Sequence, residues 1–223
     1  MKRAVSACAL TLLLAISAGL EAQQYVFRAY RQADGLRNLS INGLATDRSG
    51  FLWVATENGV YRFLGAGFQR YGLEDGLAGV DVRDIVADPQ GTVWVGTEED
   101  LFRWDGLRFV RAGSQPISIV GPRRIALEDE RHLLIVDHGR LYRLEHDAEG
   151  RMISYLPAIP ASMSSSRPDL ERIVSVSVVR NAFADAEVWI GSGNQLYSLS
   201  ITKDEGAPHA QYGFITEWGM ARG

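Results

Sequence analysis

The residues most able to take part in catalysis or metal binding are an acidic run, four histidines and a glycine-rich segment. The run Glu98-Glu99-Asp100 could supply paired carboxylates for acid–base catalysis or for calcium, although a solvated turn has the same composition. The segment Gly191-Ser192-Gly193-Asn194 fits neither a phosphate loop nor a nucleophile elbow and is typical of a hairpin turn. The histidines lack metal-ligand spacing with carboxylates: His132, His138, His146 and His209. The sequence therefore predicts no catalytic residue, no metal site and no cofactor.

The bulk properties indicate a globular chain and argue against nucleic acid as a partner. Hydrophobic residues make up 46% of the 223 residues and charged residues 22%, which is enough for a sizeable core. The formal net charge is −4, and no cluster of lysine and arginine runs along the chain. A nucleic-acid surface would need such a basic cluster.

The amino-terminal segment has the pattern of a secretory signal peptide over residues 1–22. A basic start, Lys2-Arg3, precedes an apolar stretch from Ala9 to Ile16 and a small-residue exit from Ser17 to Ala22. The apolar stretch is shorter than the roughly 20 residues that a membrane span needs. We expect cleavage near Ala22 and a periplasmic or secreted protein, attached to a membrane only if it is part of a longer one.

A repeat of 41 residues organises the rest of the chain. The segment Leu44 to Phe63 superimposes on Ile85 to Trp104 at that constant offset. Weaker copies follow at Ile125 to Leu144 and at Val188 to Leu199. The residues that mark the repeat are an aspartate, a glycine and a tryptophan: Asp47, Gly50 and Trp53, then Asp88, Gly91 and Trp94, with the tryptophan restored at Trp189.

Each repeat has the pattern of four short strands. In the second copy these are Val82 to Ala87, Thr92 to Gly96, Leu101 to Trp104 and Arg108 to Arg111, which are β-branched, aromatic or alternating. The Asp-x-x-Gly spacing predicts a tight turn between the first two strands. Four antiparallel strands every forty or so residues are typical of a propeller blade. We therefore predict an all-β β-propeller whose repeated tryptophans pack between blades.

The repeat also gives provisional boundaries for a propeller domain over residues 23–223. Four blades are expected at about 38–72, 79–112, 121–156 and 170–218, with an exposed insertion at 157–168. An isolated outer strand at 25–30 would close the last blade of a ring. Four blades could form a small ring, an assembly of several chains, or the first part of a larger ring such as a seven-bladed one. The repeat pattern puts this outer strand before the first blade, and that order of strands favours the larger ring.

Propellers usually bind ligands at the central mouth, which is lined by the connections into each first strand and by the turns between second and third strands. These places hold the following polar residues: Arg37, Asn38, Asn42, Glu57, Asn58, Asp81, Arg83, Glu98 and Glu99. We expect them to contact an unknown small molecule or carbohydrate. Further partners would be the remaining propeller blades or a membrane-bound signalling protein.

The repeats resemble a known family. The segment Asp34 to Phe63, and still more the second copy with Asp88, Gly91, Trp94 and the following Trp104-Asp105-Gly106, is similar to the two-component regulator propeller repeat. That repeat occurs in the extracytoplasmic sensor regions of bacterial hybrid histidine kinases and some diguanylate cyclases. The resemblance implies a periplasmic ligand-sensing propeller whose full-length relatives continue into more propeller, a membrane span and a signalling domain.

The sequence departs from that plan after its propeller repeats. Within the 223 residues there is no downstream membrane helix, phosphoacceptor-histidine region or nucleotide-binding segment. We therefore expect a fragment that lacks the transmembrane and output domains, and we assign no enzymatic activity to it. Two other hypotheses remain open: a secreted propeller enzyme, either a lyase or a glycoside-active protein, and a protein-interaction scaffold.

Overall fold

The computed structural model describes residues 27–160, 164–180, 186–193, 195–202 and 211–218. The predicted signal peptide, residues 1–22, lies outside this range. Sixteen strands follow one another in the described chain: β1 (Ile41–Thr46), β2 (Leu52–Thr56), β3 (Gly59–Phe63), β4 (Phe68–Tyr71), β5 (Val82–Ala87), β6 (Val93–Thr97), β7 (Leu101–Trp104), β8 (Phe109–Arg111), β9 (Ile125–Leu127), β10 (His132–Asp137), β11 (Arg140–His146), β12 (Met152–Pro157), β13 (Ile173–Arg180), β14 (Ala186–Ser192), β15 (Gln195–Thr202) and β16 (Gln211–Trp218).

The strands form four antiparallel sheets, each made of four successive strands, which we call blades 1 to 4. The first strands of the blades lie side by side, because β1 contacts β5, β5 contacts β9, and β9 contacts β13. This arrangement confirms the predicted all-β propeller with four-stranded blades. Short 3-10 turns at Gln32–Asp34, Leu73–Asp75 and Pro168–Glu171 lie in the connections that lead into blades 1, 2 and 4.

The strands of blade 2 show how well the sequence pattern defines the sheet. The first and third strands run from Val82 to Ala87 and from Leu101 to Trp104, as predicted. The second and fourth each begin one residue later than predicted, at Val93 and Phe109. Buried β-branched and aromatic residues fill these strands, which is why local composition identifies them so closely.

The predicted Asp-x-x-Gly turns join the first two strands of blades 1 and 2. The amide of Gly50 donates to the carbonyl of Asp47 at 2.9 Å, and the amide of Gly91 donates to that of Asp88 at 3.0 Å. Gly50 and Gly91 have φ values of +83° and +101°, a left-handed backbone that favours glycine. The turn prediction is therefore confirmed at both places.

The same two aspartates also hold the repeated tryptophans. Trp53 Nε1 donates to Asp47 Oδ2 at 2.8 Å, and Trp94 Nε1 donates to Asp88 Oδ2 at 3.0 Å. Both indoles are fully buried, so each polar N–H needs such a partner. One aspartate per blade therefore shapes a turn with one carboxylate oxygen and anchors a core side chain with the other.

Each of these tryptophans is covered by the blade that follows it. The Trp53 ring lies 5.4 Å from the ring of Trp104 and 6.1 Å from that of Phe109, both in blade 2. The Trp94 ring lies in a cluster with residues of blade 3, including Leu133 and Leu144. The predicted packing of tryptophans between blades is confirmed at these two positions.

Blade 3 fills the tryptophan position with Leu134, which is fully buried against Val176 and Leu199 of blade 4. The position of the anchoring aspartate is taken by Glu128. Its Oε2 accepts a hydrogen bond from Arg143 Nε at 2.5 Å. Blade 3 therefore keeps a buried carboxylate at this place but pairs it with a guanidinium instead of an indole.

Trp189 occupies the equivalent position of β14, three residues before the strand ends at Ser192, but it is only half-buried. It lies opposite Ser177 and Ser198 in the sheet. Trp53 and Trp94 owe their burial to the next blade, and no further sheet follows β16 among the described residues.

The insertion predicted at 157–168 is not exposed over its whole length, and this part of the prediction is wrong. Pro157 ends β12, and Ala158 and Ile159 are buried in the core between blades 3 and 4. The amide of Ala158 donates to the carbonyl of Leu141 at 2.9 Å. The Pro/Ser-rich composition concealed these two apolar residues, which extend the core beyond the strand.

The outer strand predicted at 25–30 is also not found in its described part, residues 27–30, and its first two residues lie outside the described range. These residues belong to a separate compact unit, Met1–Tyr30, whereas the blades belong to Arg31–Gly223. A strand needs a neighbour for its backbone hydrogen bonds. In blade 4 the outer place next to β15 is held by β16.

Candidate functional site

One end of the four sheets carries the polar residues that could form a binding site, and we call it the mouth face. It consists of the starts of the first strands, β1, β5, β9 and β13, and of the turns between second and third strands. Antiparallel pairing places both features at the same end, as in blade 2, where Val82 at the start of β5 lies opposite Thr97 at the end of β6.

Five of the nine predicted site residues come together on blades 1 and 2. Arg83 Nη2 lies 2.7 Å from Asp81 Oδ2 and 2.9 Å from Glu98 Oε1. Partial burial raises the pKa of the Asp81 carboxyl, Arg83 opposes that rise, and the charges of Glu57, Glu98 and Glu99 add to it. The group therefore combines four carboxylates with one central guanidinium, and we call it the acidic cluster.

The acidic cluster could accept hydrogen bonds from ligand hydroxyl or ammonium groups. Glu57, Glu98 and Glu99 are exposed, so a ligand could reach them from solvent. Like charges crowd Asp81, and a ligand donor placed there would relieve that repulsion. An anionic ligand would be repelled by the same residues.

The three asparagines among the predicted site residues have structural partners instead. Asn42 Nδ2 donates to the carbonyl of Val82 at 2.8 Å and so ties blade 1 to blade 2. Asn38 Oδ1 accepts from the amide of Ser40 at 2.7 Å, within its own turn. Asn58 Oδ1 accepts from the guanidinium of its neighbour Arg70 at 2.9 Å, while Arg37 lies exposed before β1. The structure does not bring these four residues into the acidic cluster.

Asp100 differs from the two glutamates that precede it. It is fully buried, and its Oδ1 accepts from the amides of Leu101 at 2.8 Å and Ile117 at 3.0 Å. Its Oδ2 lies 2.8 Å from Arg111 Nε in an ion pair. Asp100 thus fixes the long connection into blade 3, and the solvated-turn interpretation holds only for Glu98 and Glu99.

Asp84 is a buried carboxylate that the sequence did not single out. Its Oδ2 accepts from the amides of Arg124 at 2.6 Å and Ile125 at 2.8 Å, and its Oδ1 accepts from its neighbour Ile85 at 3.0 Å. Burial raises the pKa of this carboxyl, while the backbone N–H groups lower it. Asp84 therefore joins blades 2 and 3 at the mouth. Only its position at the start of a first strand could have suggested that role.

The histidines are not arranged as metal ligands within the described residues. No group of three histidine, cysteine, aspartate or glutamate side chains there could hold a metal ion. His132 and His138 each lie next to one aspartate, Asp129 at 2.7 Å and Asp137 at 2.6 Å. His146 Nε2 lies 3.6 Å from the buried carboxylate of Asp88, and His209 lies outside the described residues.

His138 is a mouth residue that the sequence interpretation missed. It takes the place in blade 3 that Glu57 and Glu98 take in blades 1 and 2, directly after the second strand. In the predicted turn Gly191-Ser192-Gly193-Asn194 of blade 4, Gly191 and Ser192 end β14, and Ser192 lies opposite Gln195 at the start of β15. Gly193 follows with a left-handed backbone, φ +57°, so the predicted hairpin is confirmed, while Asn194 lies outside the described residues. The alignment of the third copy, Ile125 to Leu144, on the second would have located His138 on the mouth face.

Comparison with known proteins supports this organisation. A family model described as two component regulator propeller matches residues 35–58 and 76–99, the parts that enter and begin blades 1 and 2. A comparison with curated proteins gives no match. Within the described residues, no helix is both long enough and apolar enough to cross a membrane.

Solved structures show the same fold. The chain is similar to the extracellular domain of the hybrid two component system BT3049 from B. thetaiotaomicron, with 22% identity and a TM-score of 0.57 over 79% of this chain. It is also similar to the extracellular domain of BT4673 from the same organism, with 17% identity and a TM-score of 0.53 over 78% of this chain. It spans 25% and 22% of those two chains. Residues 35–58 and 76–99, which enter and begin blades 1 and 2 of this β-propeller, are similar to the two-component regulator propeller repeat.

Proposed function

We propose that this chain is an extracytoplasmic ligand-binding and ligand-sensing module of a bacterial two-component-type signalling protein. The observation that carries the proposal is the match of two blades to the two-component regulator propeller repeat. The two similar structures are extracellular domains of such systems, which supports the same conclusion. Because the chain spans about a quarter of the length of those extracellular domains, we propose that further blades complete the propeller. We also propose that an output domain belongs to the same signalling protein, as the resemblance to two-component regulator propellers implies.

The proposed binding surface is the mouth face of blades 1 and 2. The acidic cluster there gathers five side chains from two blades without burying them, as a site open to solvent requires. Its excess of carboxylates favours a neutral, hydroxyl-rich ligand such as a carbohydrate, or a cationic small molecule, over an anion. In this proposal the module binds its ligand without transforming it.

Ligand binding can be tested by thermal unfolding of the full chain against a panel of neutral oligosaccharides and small amines. A compound that binds only the folded state raises Tm in a saturable way. We expect Arg83→Ala to remove that rise, because Arg83 holds Asp81 and Glu98 in place. Arg108→Ala is the matched control, since Arg108 is an exposed arginine in the β7–β8 turn at the opposite end of the blade.

Two results would contradict the proposal. A Tm rise that Arg83→Ala leaves intact would place the ligand elsewhere. Conversion of a compound by the wild-type chain, lost on changing Glu98 and Glu99 to Gln, would favour an enzyme instead.

A further inference from the structure

Backbone strain is concentrated at the mouth end of blade 3. Among the described residues, only two that are not glycine have a left-handed backbone, Arg123 with φ +57° and His138 with φ +47°. Glycine adopts this conformation without a steric penalty, whereas other residues generally do so at a cost. Such residues occur in tight turns, of which His138-Gly139 between β10 and β11 is one, and they also cluster at ligand-binding and active sites.

The two strained residues lie beside the same neighbouring segment, the start of β13 in blade 4. The carbonyl of Arg123 accepts from the amide of Val176 at 2.9 Å. The carbonyl of Gly139, next to His138, accepts from the amide of Ile173 at 2.8 Å. Arg172 immediately precedes Ile173, so this contact brings it alongside the His138 turn.

A third backbone bond joins the chain next to Arg123 to the end of β10, which leads into His138. The carbonyl of Arg124 accepts from the amide of Val136, two residues before His138, at 2.8 Å. A Cβ atom placed on Gly139 would lie only 3.4 Å from the Cα of Arg172. These backbone contacts place Arg123, His138 and Arg172 on neighbouring segments at the boundary between blades 3 and 4.

The imidazole of His138 is held in one orientation while most of it faces solvent. Its Nδ1 lies 2.6 Å from Asp137 Oδ1, and the hydroxyl of Tyr155 donates to Asp137 Oδ2 at 3.2 Å. Asp137 is buried, whereas the side chain of His138 is 81% exposed. With Nδ1 held by Asp137, Nε2 is the ring nitrogen that faces a ligand, and it would donate to an anion from the protonated ring, in which both nitrogens carry a proton.

The arginines at this boundary differ in whether their side chains pair with other groups of the protein. Arg140 pairs with Glu171 at 2.9 Å, and Arg124 donates to the carbonyl of Ile173 at 3.1 Å. Arg123 and Arg172 are exposed, and neither side chain has an ion pair within the described part of the chain. Asp169 and Glu171 are the exposed carboxylates of the adjoining 3-10 turn.

We infer that Arg123, His138 and Arg172 form a binding site for an oxyanion at the boundary of blades 3 and 4. Two guanidinium groups and an oriented imidazole match the oxygens of a carboxylate, sulfate or phosphate group. The site is separate from the acidic cluster, so the inference goes beyond the proposed function.

The test measures thermal unfolding of the full chain with inorganic phosphate, and with glucuronate against glucose, at low millimolar concentrations and constant ionic strength. We expect phosphate or glucuronate to raise Tm in a saturable way and glucose to have no effect at this site. A response to glucuronate alone would indicate a carboxylate sugar, and a response to phosphate alone would indicate a tetrahedral anion. Either response requires the same three side chains.

Glycine substitutions separate binding from folding, because they relieve the strain at these positions. Arg123→Gly and His138→Gly should raise the Tm of the free chain and weaken the apparent affinity for the anion about tenfold or more. Arg172→Ala should weaken the affinity similarly, and Arg108→Ala should leave it unchanged.

Two outcomes would overturn the inference. One is a saturable response that persists undiminished in Arg123→Gly and His138→Gly, and the other is no saturable response in the wild-type chain. A chain that binds a neutral sugar through Arg83 but no oxyanion would contradict only this inference and would leave the proposed function standing.

Discussion

Blades 1 and 3 build the same position of the repeat in two different ways. In blade 1 the carboxylate of Asp47 accepts from the indole of Trp53, and Arg62 stands farther away, with Nη2 3.6 Å from Asp47 Oδ2. In blade 3 the tryptophan is replaced by Leu134, and Arg143, the counterpart of Arg62, is the direct partner of Glu128.

The difference shows what the repeat requires at this place. A buried carboxylate follows the first strand and needs a hydrogen-bond partner, which is either an indole on the second strand or a guanidinium on the third. Glu128 has one methylene more than Asp47, and its carboxylate contacts Arg143 on β11, the third strand of the blade. Arg180 of blade 4 also donates to the carbonyl of Glu128, so blade 3 is tied to the following blade through this position as well.

Removing the large side chain from each blade tests the comparison most severely. Trp53→Ala should lower the free energy of unfolding by about 3–5 kcal/mol, because it opens a cavity between blades 1 and 2 and leaves Asp47 without its indole partner. Leu134→Ala should cost less, about 2–3 kcal/mol, because less volume is lost and Glu128 keeps Arg143. Urea denaturation measures both values. Equal costs would contradict the view that blade 1 depends on its indole.

The arginines at the equivalent positions should behave in the opposite order. Arg143→Met should cost about 2–3 kcal/mol, because it leaves Glu128, whose side chain is only 3% exposed, without its partner. Arg62→Met should cost about 1 kcal/mol or less, because Asp47 keeps the indole of Trp53. Urea denaturation of the matched pair decides the point. An Arg62 variant as unstable as the Arg143 variant would show that both blades rely on the ion pair.

Acid should affect blade 3 through a carboxyl group that blade 1 lacks. Burial raises the pKa of Asp129, but hydrogen bonds from His132 and from the amide of Arg131 outweigh it, and the pKa falls to about 2. A folded-state pKa below the unfolded value of about 3.9 stabilises the fold at higher pH, and that contribution is lost as the pH falls from about 4 to about 2.

The expected effect is small because the Asp129 side chain is 45% exposed. Asp129→Asn should cost less than about 1 kcal/mol at neutral pH, and this difference from wild type should vanish near pH 2. Arg48→Asn, at the equivalent position of blade 1, removes no carboxyl group and should leave the acid transition unchanged. Denaturation midpoints measured across this pH range would contradict the assignment if the Asp129 variant kept a constant deficit.

Local patterns in the sequence predict most of the fold. The turns at Asp47–Gly50 and Asp88–Gly91 depend on residues within a few positions of one another, and so do the strand boundaries of blade 2. The same reasoning failed at Ala158 and Ile159, because their burial depends on the neighbouring blade and not on the Pro/Ser-rich segment around them.

The candidate site was less predictable because its contacts join distant residues. The acidic cluster followed from the repeat, since the offset places Glu57 and Glu98 at equivalent turns. The role of Asn42 as a tie to the next blade and that of Asp84 as a buried acceptor depend on backbone groups about 40 residues away. A single sequence gives no signal for such contacts.

Amide hydrogen exchange of the full chain, with and without the compound that gives the largest Tm rise, tests most directly whether the mouth face binds the ligand. The account predicts slower exchange at the mouth, in residues 57–58, 81–83 and 98–99, and no change in the opposite turns at 47–50 and 88–91. Protection at the opposite turns alone, with none at the mouth, would contradict it.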